Sequence, residues 1–160
     1  MSPLTLETAR LILDASLAKA DELGLKPLAV AVLDARGCLK AFAAQDGTSL
    51  IRADIARGKA YGALALGMGS RAIARRAQDE PAFIGAVNAL AGGALVPAAG
   101  GVLIESAAGE LLGAVGVSGD ASGNDEACAL AGIAAAGLRA NPGRPKIDLS
   151  SLPPDSFPCR

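Results

Sequence analysis

The sequence contains no histidine and no tryptophan, and its other aromatic residues are one tyrosine and three phenylalanines. The lack of histidine removes the side chain that most often serves as a general base, a metal ligand or a heme ligand. It also excludes a Ser–His–Asp triad. With so few rings, the chain has little with which to stack on unpaired bases, which argues against single-stranded nucleic acid as a partner.

The chain also lacks an excess of one charge and a long apolar run. Its 15 basic and 16 acidic residues give a net charge of -1, whereas binding to nucleic acid or a membrane surface would favour a basic excess. Residues 1–7 lack a basic start followed by an apolar run, so we expect no signal peptide. The apolar runs are far shorter than the roughly 18 residues of a membrane span. We therefore expect a cytoplasmic protein whose partners include neither nucleic acid nor a membrane.

Cysteine is scarce and follows no pattern. Cys38, Cys128 and Cys159 include no Cys-x-x-Cys pair, so the sequence predicts neither a disulfide framework nor a zinc site, and we expect no metal site. This usage is typical of a reducing compartment. We expect Cys128, in the last predicted helix, to be a core residue.

Small aliphatic residues are abundant instead. Hydrophobic residues make up 51% of the chain and aromatic residues 2%, so the core must be built from Ala, Leu, Val and Ile. A chain of 160 residues fits one domain that folds without a disulfide or a metal. We place this domain at residues 1–140 and, because of its prolines, an irregular arm at 141–160. The high apolar content also predicts a homo-oligomer.

Apolar periodicity gives the order helix, hairpin, helices, hairpin, helix. Helices are predicted over residues 4–24, 48–66, 70–78, 81–90 and 122–138. β-Hairpins are predicted for 28–33 with 38–44 and for 102–105 with 111–117. This order indicates an α+β fold with a single antiparallel sheet and helices packed on it, and it differs from the strand–helix alternation of a Rossmann fold.

Two helix starts and two buried faces follow from the same patterns. Thr48 or Ser49 is expected to cap the second helix, and Ser122-x-x-Asp125 has the form of a capping box for the last. The inner face is predicted to carry Leu6, Ala9, Leu13, Leu17, Ala20 and Leu23 in the first helix, and Ala127, Leu130, Ala131 and Ala134 in the last.

Charged and polar residues at two places are candidates for binding an acid. Lys59 and Arg52 share one face of the second helix, where a lysine can anchor a carboxylate, or act as a base if burial lowers its pKa. Ser118, Ser122, Asn124 and Asp125 lie at the start of the last helix, where free N–H groups and the helix dipole favour an anion, and Gly119 belongs to the same loop. The alternative interpretations are a solvated cation and ordinary helix capping.

Glycines and the single tyrosine are the other candidates. Gly100, Gly101 and Gly116 lie at strand ends, where the missing Cβ lets a ligand approach the backbone. The alternative is that they serve turns and tight helix–sheet packing. Tyr61 has the chemistry of an oxygen ligand or proton donor, and helix packing is its alternative role.

Four stretches occur in an order that resembles a known family. They are Val30–Gly37 leading to Gln45-Asp46-Gly47, Lys59–Ala63, Pro97 with Gly100–Ile104, and Gly113–Gly119 followed by Asp125 and Ala131-Gly132. Together they resemble the GlcG/HbpS-like heme-binding family, which is related to the C-terminal domain of PduO-type corrinoid adenosyltransferases. The resemblance covers about residues 4–138. It implies about five antiparallel strands between helices, in a profilin/roadblock-like arrangement, and a homo-oligomer. It also implies a pocket that holds heme or a corrinoid in some members.

Two functions are consistent with these observations. The first is a small-ligand-binding protein of the heme or tetrapyrrole type, with Lys59 and the 118–125 loop lining one pocket for an acidic ligand. The second is a cofactor-independent lyase on a small aromatic or organic acid, such as hydroxylaminobenzoate, in which Lys59, Arg52 and Asp125 hold and polarise the acid. Since the chain has no histidine, heme would be held weakly, without nitrogen ligation, by cysteine, tyrosine or methionine.

Overall fold

The structure, a computed structural model, describes residues 3–143. Within that range the helices are α1 (Leu6–Leu23), α2 (Arg52–Leu66), α3 (Ser70–Asp79), α4 (Pro81–Leu90) and α5 (Ser122–Ala135). The strands are β1 (Ala29–Asp34), β2 (Leu39–Ala44), β3 (Gly101–Glu105), β4 (Leu111–Ser118) and β5 (Arg139–Asn141). They form one antiparallel sheet in the order β2-β1-β4-β3-β5. The predicted α+β class and both hairpins are confirmed. No helix among these residues is both long enough and apolar enough to cross a membrane.

Helices cover both faces of the sheet. Side chains on one face, such as Val30 and Val115, pack with α1 and α5 in the largest core cluster. Side chains on the other face, such as Leu33 and Ala114, pack against α2. Because both faces are covered, every residue of β1 is buried except Asp34 at its end, which is half-buried.

Glycine brings α2 very close to the sheet. A Cβ at Gly116 in β4 would collide with the carbonyl oxygen of Ala56, and a Cβ at Gly101 in β3 would collide with the carbonyl oxygen of Lys59. Both carbonyls belong to α2, so helix backbone lies directly on strand backbone. The helix presents small residues there, and Ala56 and Ala60 are fully buried. The separation of helix and sheet is therefore set by main-chain atoms rather than by a layer of side chains.

The C-terminal end of α5 differs from the prediction. The helix ends at Ala135 instead of residue 138, and Gly137 follows with a φ of 69°, a left-handed conformation typical of helix ends. Arg139–Asn141 then pairs with β3 as the fifth strand. Asn141 thus belongs to the sheet, although the sequence placed it at the start of the irregular arm. Residues 144–160 of that arm lie outside the described residues.

The predicted cap of α2 is wrong. The helix begins at Arg52, and the preceding residue, Ile51, is already in a helical conformation and makes no side-chain capping bond. The Thr48 hydroxyl instead donates to the carbonyl of Gln45 at 2.6 Å, and this local turn uses the group that the cap would have needed.

The predicted capping box of α5 is also wrong. Ser122 is the first helical residue rather than the cap, and Asp125 accepts a hydrogen bond from the backbone N–H of Asp120 at 3.0 Å. The buried face of α5 also differs from the predicted one, because two carboxylates near the start of the helix point inward. Ala134 is exposed, and the buried residues are Asp125, Glu126, Cys128, Ala129, Gly132 and Ile133.

In α1 the middle of the predicted face is buried, but its ends are not. Leu6 and Leu23 are each 45% exposed, whereas Ile12 and Ser16, which the prediction omitted, are fully buried. Ser16 is accommodated because its hydroxyl donates to the carbonyl of Ile12 at 2.8 Å. Close packing of α5 on this part of α1 depends on Gly132, whose Cβ would collide with the Ser16 hydroxyl.

Candidate functional site

Lys59 lies on the sheet-facing side of α2 and makes a buried ion pair. Its Nζ is 3.0 Å from Oδ2 of Asp125 and donates to the carbonyl of Val117 at 2.9 Å. The side chains of Lys59 and Asp125 are 3% and 1% exposed. Burial lowers the pKa of the Lys59 ammonium, Asp125 opposes that shift, and the charge of Arg52 adds to it. The structure thus brings Lys59 together with the start of α5, but in the protein interior rather than in an open cleft.

Arg52 begins α2 and meets the β4–α5 loop at the surface. It lies about two helical turns from Lys59 along α2. The Arg52 guanidinium donates to Oγ of Ser118 at 3.3 Å, and Ser118 is fully buried. Arg52 and Gly119 both line a small pocket of about 230 Å³. Its other lining residues are Lys26, Pro27, Gly47 and Ser49.

Gly100, Gly101 and Gly116 lie where the sheet contacts α2 and α5. A Cβ at Gly100, which has a φ of 122°, would lie 3.0 Å from Nζ of Lys59 and 3.2 Å from Cβ of Asp125. The N–H of Gly101 donates to Oγ of Ser70 at 2.6 Å. These glycines therefore contact protein atoms, and their missing side chains leave room for Lys59 and for the backbone of α2.

A second carboxylate, next to Asp125, holds another helix. Glu126 is 5% exposed and receives two hydrogen bonds from the Arg71 guanidinium, which lies on α3. Hydrogen bonding to Glu126 is the main cause that raises the pKa of Arg71. The first turn of α5 thus binds α2 through Asp125 and α3 through Glu126.

Tyr61 lies in a different place on α2, half-buried against the core cluster that contains Leu33 and Ala63. It lines a pocket of about 460 Å³ between α2 and the segment that precedes β3. The other lining residues are Ile51, Asp54, Ile55, Arg57, Gly58, Gly93, Ala94 and Val96. Gly58 allows the segment to lie against the helix, since a Cβ there would come within 2.6 Å of Val96. This pocket has apolar walls with three polar side chains, those of Asp54, Arg57 and Tyr61.

Of the residues that line this pocket, Tyr61 was a candidate from the sequence and the others were not. Arg57 and Asp54 were visible as charges on the same helix face, and Gly92-Gly93 with Pro97 marked an irregular segment. No sequence signal joins that segment to α2, because their contact depends on tertiary packing. Among residues 3–143, no three His, Cys, Asp or Glu side chains gather in a way that could hold a metal ion.

The chain is similar to several proteins of known structure. PduOC, solved as a heme complex, is 22% identical with a TM-score of 0.78, and the match covers 86% of this chain and 98% of the PduOC chain. The ORFY protein of Klebsiella pneumoniae is 23% identical with a TM-score of 0.77, and covers 86% of this chain and 93% of its own. A double mutant of HbpS from Streptomyces reticuli is 27% identical with a TM-score of 0.72, and covers 84% of this chain and 87% of its own.

At 22% and 23% identity, the first two similarities show the fold alone. No curated protein sequence matches the chain. A family model described as "Haem degrading protein HbpS-like" matches residues 4–134, which is most of the chain, and this confirms the resemblance found in the sequence. The chain therefore belongs to the HbpS-like family.

Proposed function

We propose that this chain binds a flat, largely apolar, acid-bearing molecule of the tetrapyrrole class in the pocket beside α2. The observation that carries the proposal is that one pocket combines apolar walls, a cation and the only tyrosine of the chain. Membership of the HbpS-like family and the heme complex of PduOC, a protein of the same fold, support the choice of ligand class.

The pocket has the components that heme needs. Its volume of about 460 Å³ falls within the roughly 300–1,000 Å³ of small-molecule sites. Ile51, Ile55 and Val96 offer apolar surface to a macrocycle. The guanidinium of Arg57 offers charged donors to a carboxylate. The phenol of Tyr61 offers an oxygen, which is the type of axial ligand used by catalase.

Other side chains are less well placed to reach an iron atom. Cys38 is exposed in the turn between β1 and β2, and Met68 packs beside Ile73 and Ile84 in a separate cluster. Neither lines the pocket beside α2. Heme would bring a redox-active iron to the site, while the chain would supply the apolar slot, the partner for an acid group and the oxygen ligand.

The lyase alternative receives less support from the geometry. It required Lys59 and Asp125 to contact a substrate acid, yet the two side chains are almost wholly buried and bind each other. Arg52, the third member of that set, lines a small surface pocket. We therefore propose a structural role for Lys59 and Asp125.

Titration of the purified protein with hemin tests the proposal, with hydroxocobalamin titrated in parallel. We expect a saturable Soret band without a low-spin, nitrogen-ligated spectrum. Tyr61→Phe, which keeps the ring and removes the oxygen, should weaken binding and alter the band. Arg57→Gln should lower affinity about tenfold or more, the value of a hydrogen bond to a charged group.

Two control variants match these changes at positions outside the pocket. Arg36→Gln removes an exposed arginine of the β1–β2 turn, and Cys38→Ser removes the exposed thiol nearby. Both should bind as the wild type does. Binding that is unchanged in Tyr61→Phe and in Arg57→Gln, or lost in Cys38→Ser, would place the ligand elsewhere.

A further inference from the structure

Three loops meet beside the first residue of α2 and enclose the small pocket of about 230 Å³. One loop precedes β1, one precedes α2 and one joins β4 to α5. Together with the start of α2 they supply the lining residues Lys26, Pro27, Gly47, Ser49, Arg52 and Gly119. We call this cavity the three-loop pocket. It shares no lining residue with the pocket beside α2, so the two are separate places on the molecule.

Two cations line the three-loop pocket, and neither has a carboxylate partner within residues 3–143. Arg52 is half-buried, and of the five N–H donors of its guanidinium one is used, in the 3.3 Å hydrogen bond to Oγ of Ser118. Lys26 is exposed, and its ammonium makes no hydrogen bond or ion pair in that part of the chain. The pocket thus presents two charged donor groups whose hydrogen-bonding capacity the fold leaves mostly unused.

The acids that adjoin the three-loop pocket in sequence, Asp46 and Asp120, do not line it. Asp46 is exposed to solvent. The carboxylate of Asp120 accepts hydrogen bonds from the side chain of Asn124 at 2.7 Å, from the backbone N–H of Ala121 at 2.7 Å and from that of Lys26 at 3.0 Å. It is therefore occupied by donors from the loops themselves. Its negative charge nevertheless lies close to the pocket, and this favours a singly charged anion there over a doubly charged one.

The walls of the three-loop pocket are fixed by contacts between the loops. The backbone N–H of Lys26 joins the first loop to the third through Asp120, and the backbone N–H of Leu28 joins it to the second through Oε1 of Gln45 at 2.8 Å. Gly119 allows the first and third loops to approach, since a Cβ there would collide with the carbonyl oxygen of Pro27. A pocket held in this way needs little ordering when a ligand enters, which favours binding.

We infer that the three-loop pocket binds the carboxylate of a small polar organic acid between the Arg52 guanidinium and the Lys26 ammonium. A guanidinium offers two parallel N–H donors to a carboxylate, and the ammonium supplies a second positive charge. The hydroxyl of Ser49 is a further donor in the lining. The volume of about 230 Å³ lies below the roughly 300–1,000 Å³ of sites for larger molecules, so the acid must be small. The inference is independent of the proposed function, because the two pockets have no residue in common.

Titration of the ¹⁵N-labelled protein with sodium acetate and with sodium lactate, at pH 7 and constant ionic strength, tests the inference by NMR. We expect saturable shifts of the backbone amides of Gly47 and Gly119 and of the Nε–H of Arg52. Inorganic phosphate, titrated in parallel, should bind more weakly because of Asp120. Arg52→Gln should raise the dissociation constant for acetate about tenfold or more, the value of a hydrogen bond to a charged group. Lys26→Gln should raise it by about two- to fivefold, because an exposed charge contributes less.

Arg36→Gln and Lys19→Gln remove cations of the same two types outside the three-loop pocket and should leave the acetate affinity unchanged. Lys26→Gln removes no contact that the fold uses, so its amide spectrum should match that of the wild type away from the pocket and keeps the test valid if Arg52→Gln folds poorly. The absence of saturable shifts, an affinity unchanged by Lys26→Gln and Arg52→Gln, or tighter binding of phosphate than of acetate would overturn the inference. Acid binding without hemin binding would overturn the proposed function alone, and hemin binding without acid binding would overturn this inference alone.

Discussion

The ammonium nitrogen of Lys59 lies 3.0 Å from Oδ2 of Asp125, although 66 residues separate the two along the chain. The pair ties α2 to the first turn of α5 through the middle of the fold. Oδ1 of the same carboxylate accepts from the backbone of Asp120, and the ammonium also donates to the carbonyl of Val117. Each charge is therefore satisfied by groups from more than one element.

Removal of the ammonium should destabilise the fold. Lys59→Met keeps most of the side-chain stem but leaves the buried Asp125 carboxylate without its counter-charge. Breaking a buried pair in this way costs about 3–5 kcal/mol. We expect a loss of that size in the free energy of unfolding, measured with urea.

Two comparisons identify the cause of that loss. Lys59→Met combined with Asp125→Asn should recover a large part of it, because the amide oxygen still accepts from Asp120 and no net charge is buried. Lys19→Met removes an exposed cation 3.0 Å from Glu22 and should cost about 1 kcal/mol at most. A Lys59→Met variant as stable as the wild type would show that the ion pair contributes nothing to stability.

The contact of Gly116 with Ala56 predicts that a single added carbon is harmful there. Gly116→Ala should force α2 away from β4 and cost about 1–3 kcal/mol or more, the range for overpacking. Gly85, exposed in α4, has open space where its Cβ would be. Gly85→Ala should therefore stabilise the protein by about 0.5–1 kcal/mol through helix propensity. Urea denaturation of both variants checks the contrast, and equal effects at the two positions would refute the close-packing explanation.

Only part of the fold could be predicted from the sequence. The hairpins were predictable because short apolar runs flank glycine-containing turns such as Asp34–Gly37. β5 was not, because three residues with no strand pattern become a strand only by pairing with β3. The buried face of α5 was misassigned because Asp125 and Glu126 count as polar in any periodicity. Their burial depends on Lys59 and Arg71, which come from distant parts of the chain.

The candidate site, like the fold, was predicted from the sequence only in part. The sequence pointed to Tyr61 from its chemistry alone. It could not show that residues 93–96 form the opposite wall, since that contact joins two segments without a shared pattern. From their helical spacing, the sequence placed Lys59 and Arg52 on one face of α2. In the structure the two side chains differ in exposure. Lys59 is 2% exposed and Arg52 lies at the rim of a surface pocket.

Asp120 predicts how the unfolding transition depends on acid. Hydrogen bonds from the Asn124 side chain and from the backbone of Lys26 and Ala121 lower the pKa of its carboxyl to about 2, from 3.8. The ionised form is thus favoured by the fold. Its contribution to stability is complete above about pH 3.8 and is lost as the pH falls toward 2.

We therefore expect Asp120→Asn to lower the melting temperature at pH 6 and to reduce its decline between pH 4 and pH 2. Thermal unfolding followed by circular dichroism measures both effects. Asp14→Asn, an exposed carboxyl on α1, serves as the control. Parallel acid profiles for the wild type and Asp120→Asn would contradict the prediction.

The two cysteines within residues 3–143 should differ in reactivity. Cys128 is fully buried, and burial raises the pKa of its thiol to about 11, whereas Cys38 is exposed. Since the thiolate is the nucleophile, iodoacetamide at pH 8 should modify Cys38 in the native protein and Cys128 only after denaturation. Peptide mass spectrometry gives the modified positions, and rapid native labelling of Cys128 would indicate that α5 opens readily.

Helices α3 and α4 enclose a small apolar cluster of their own, formed around Ile73, Ile84 and Leu95. The main core on the other face of the sheet does not include these residues. This division implies that the molecule opens in stages. The amides of α4 should exchange with deuterium through a local opening of α3 and α4, at a free energy well below that of global unfolding. The amides of β1 and β4, enclosed between α2 and the α1–α5 layer, should exchange only when the whole domain unfolds.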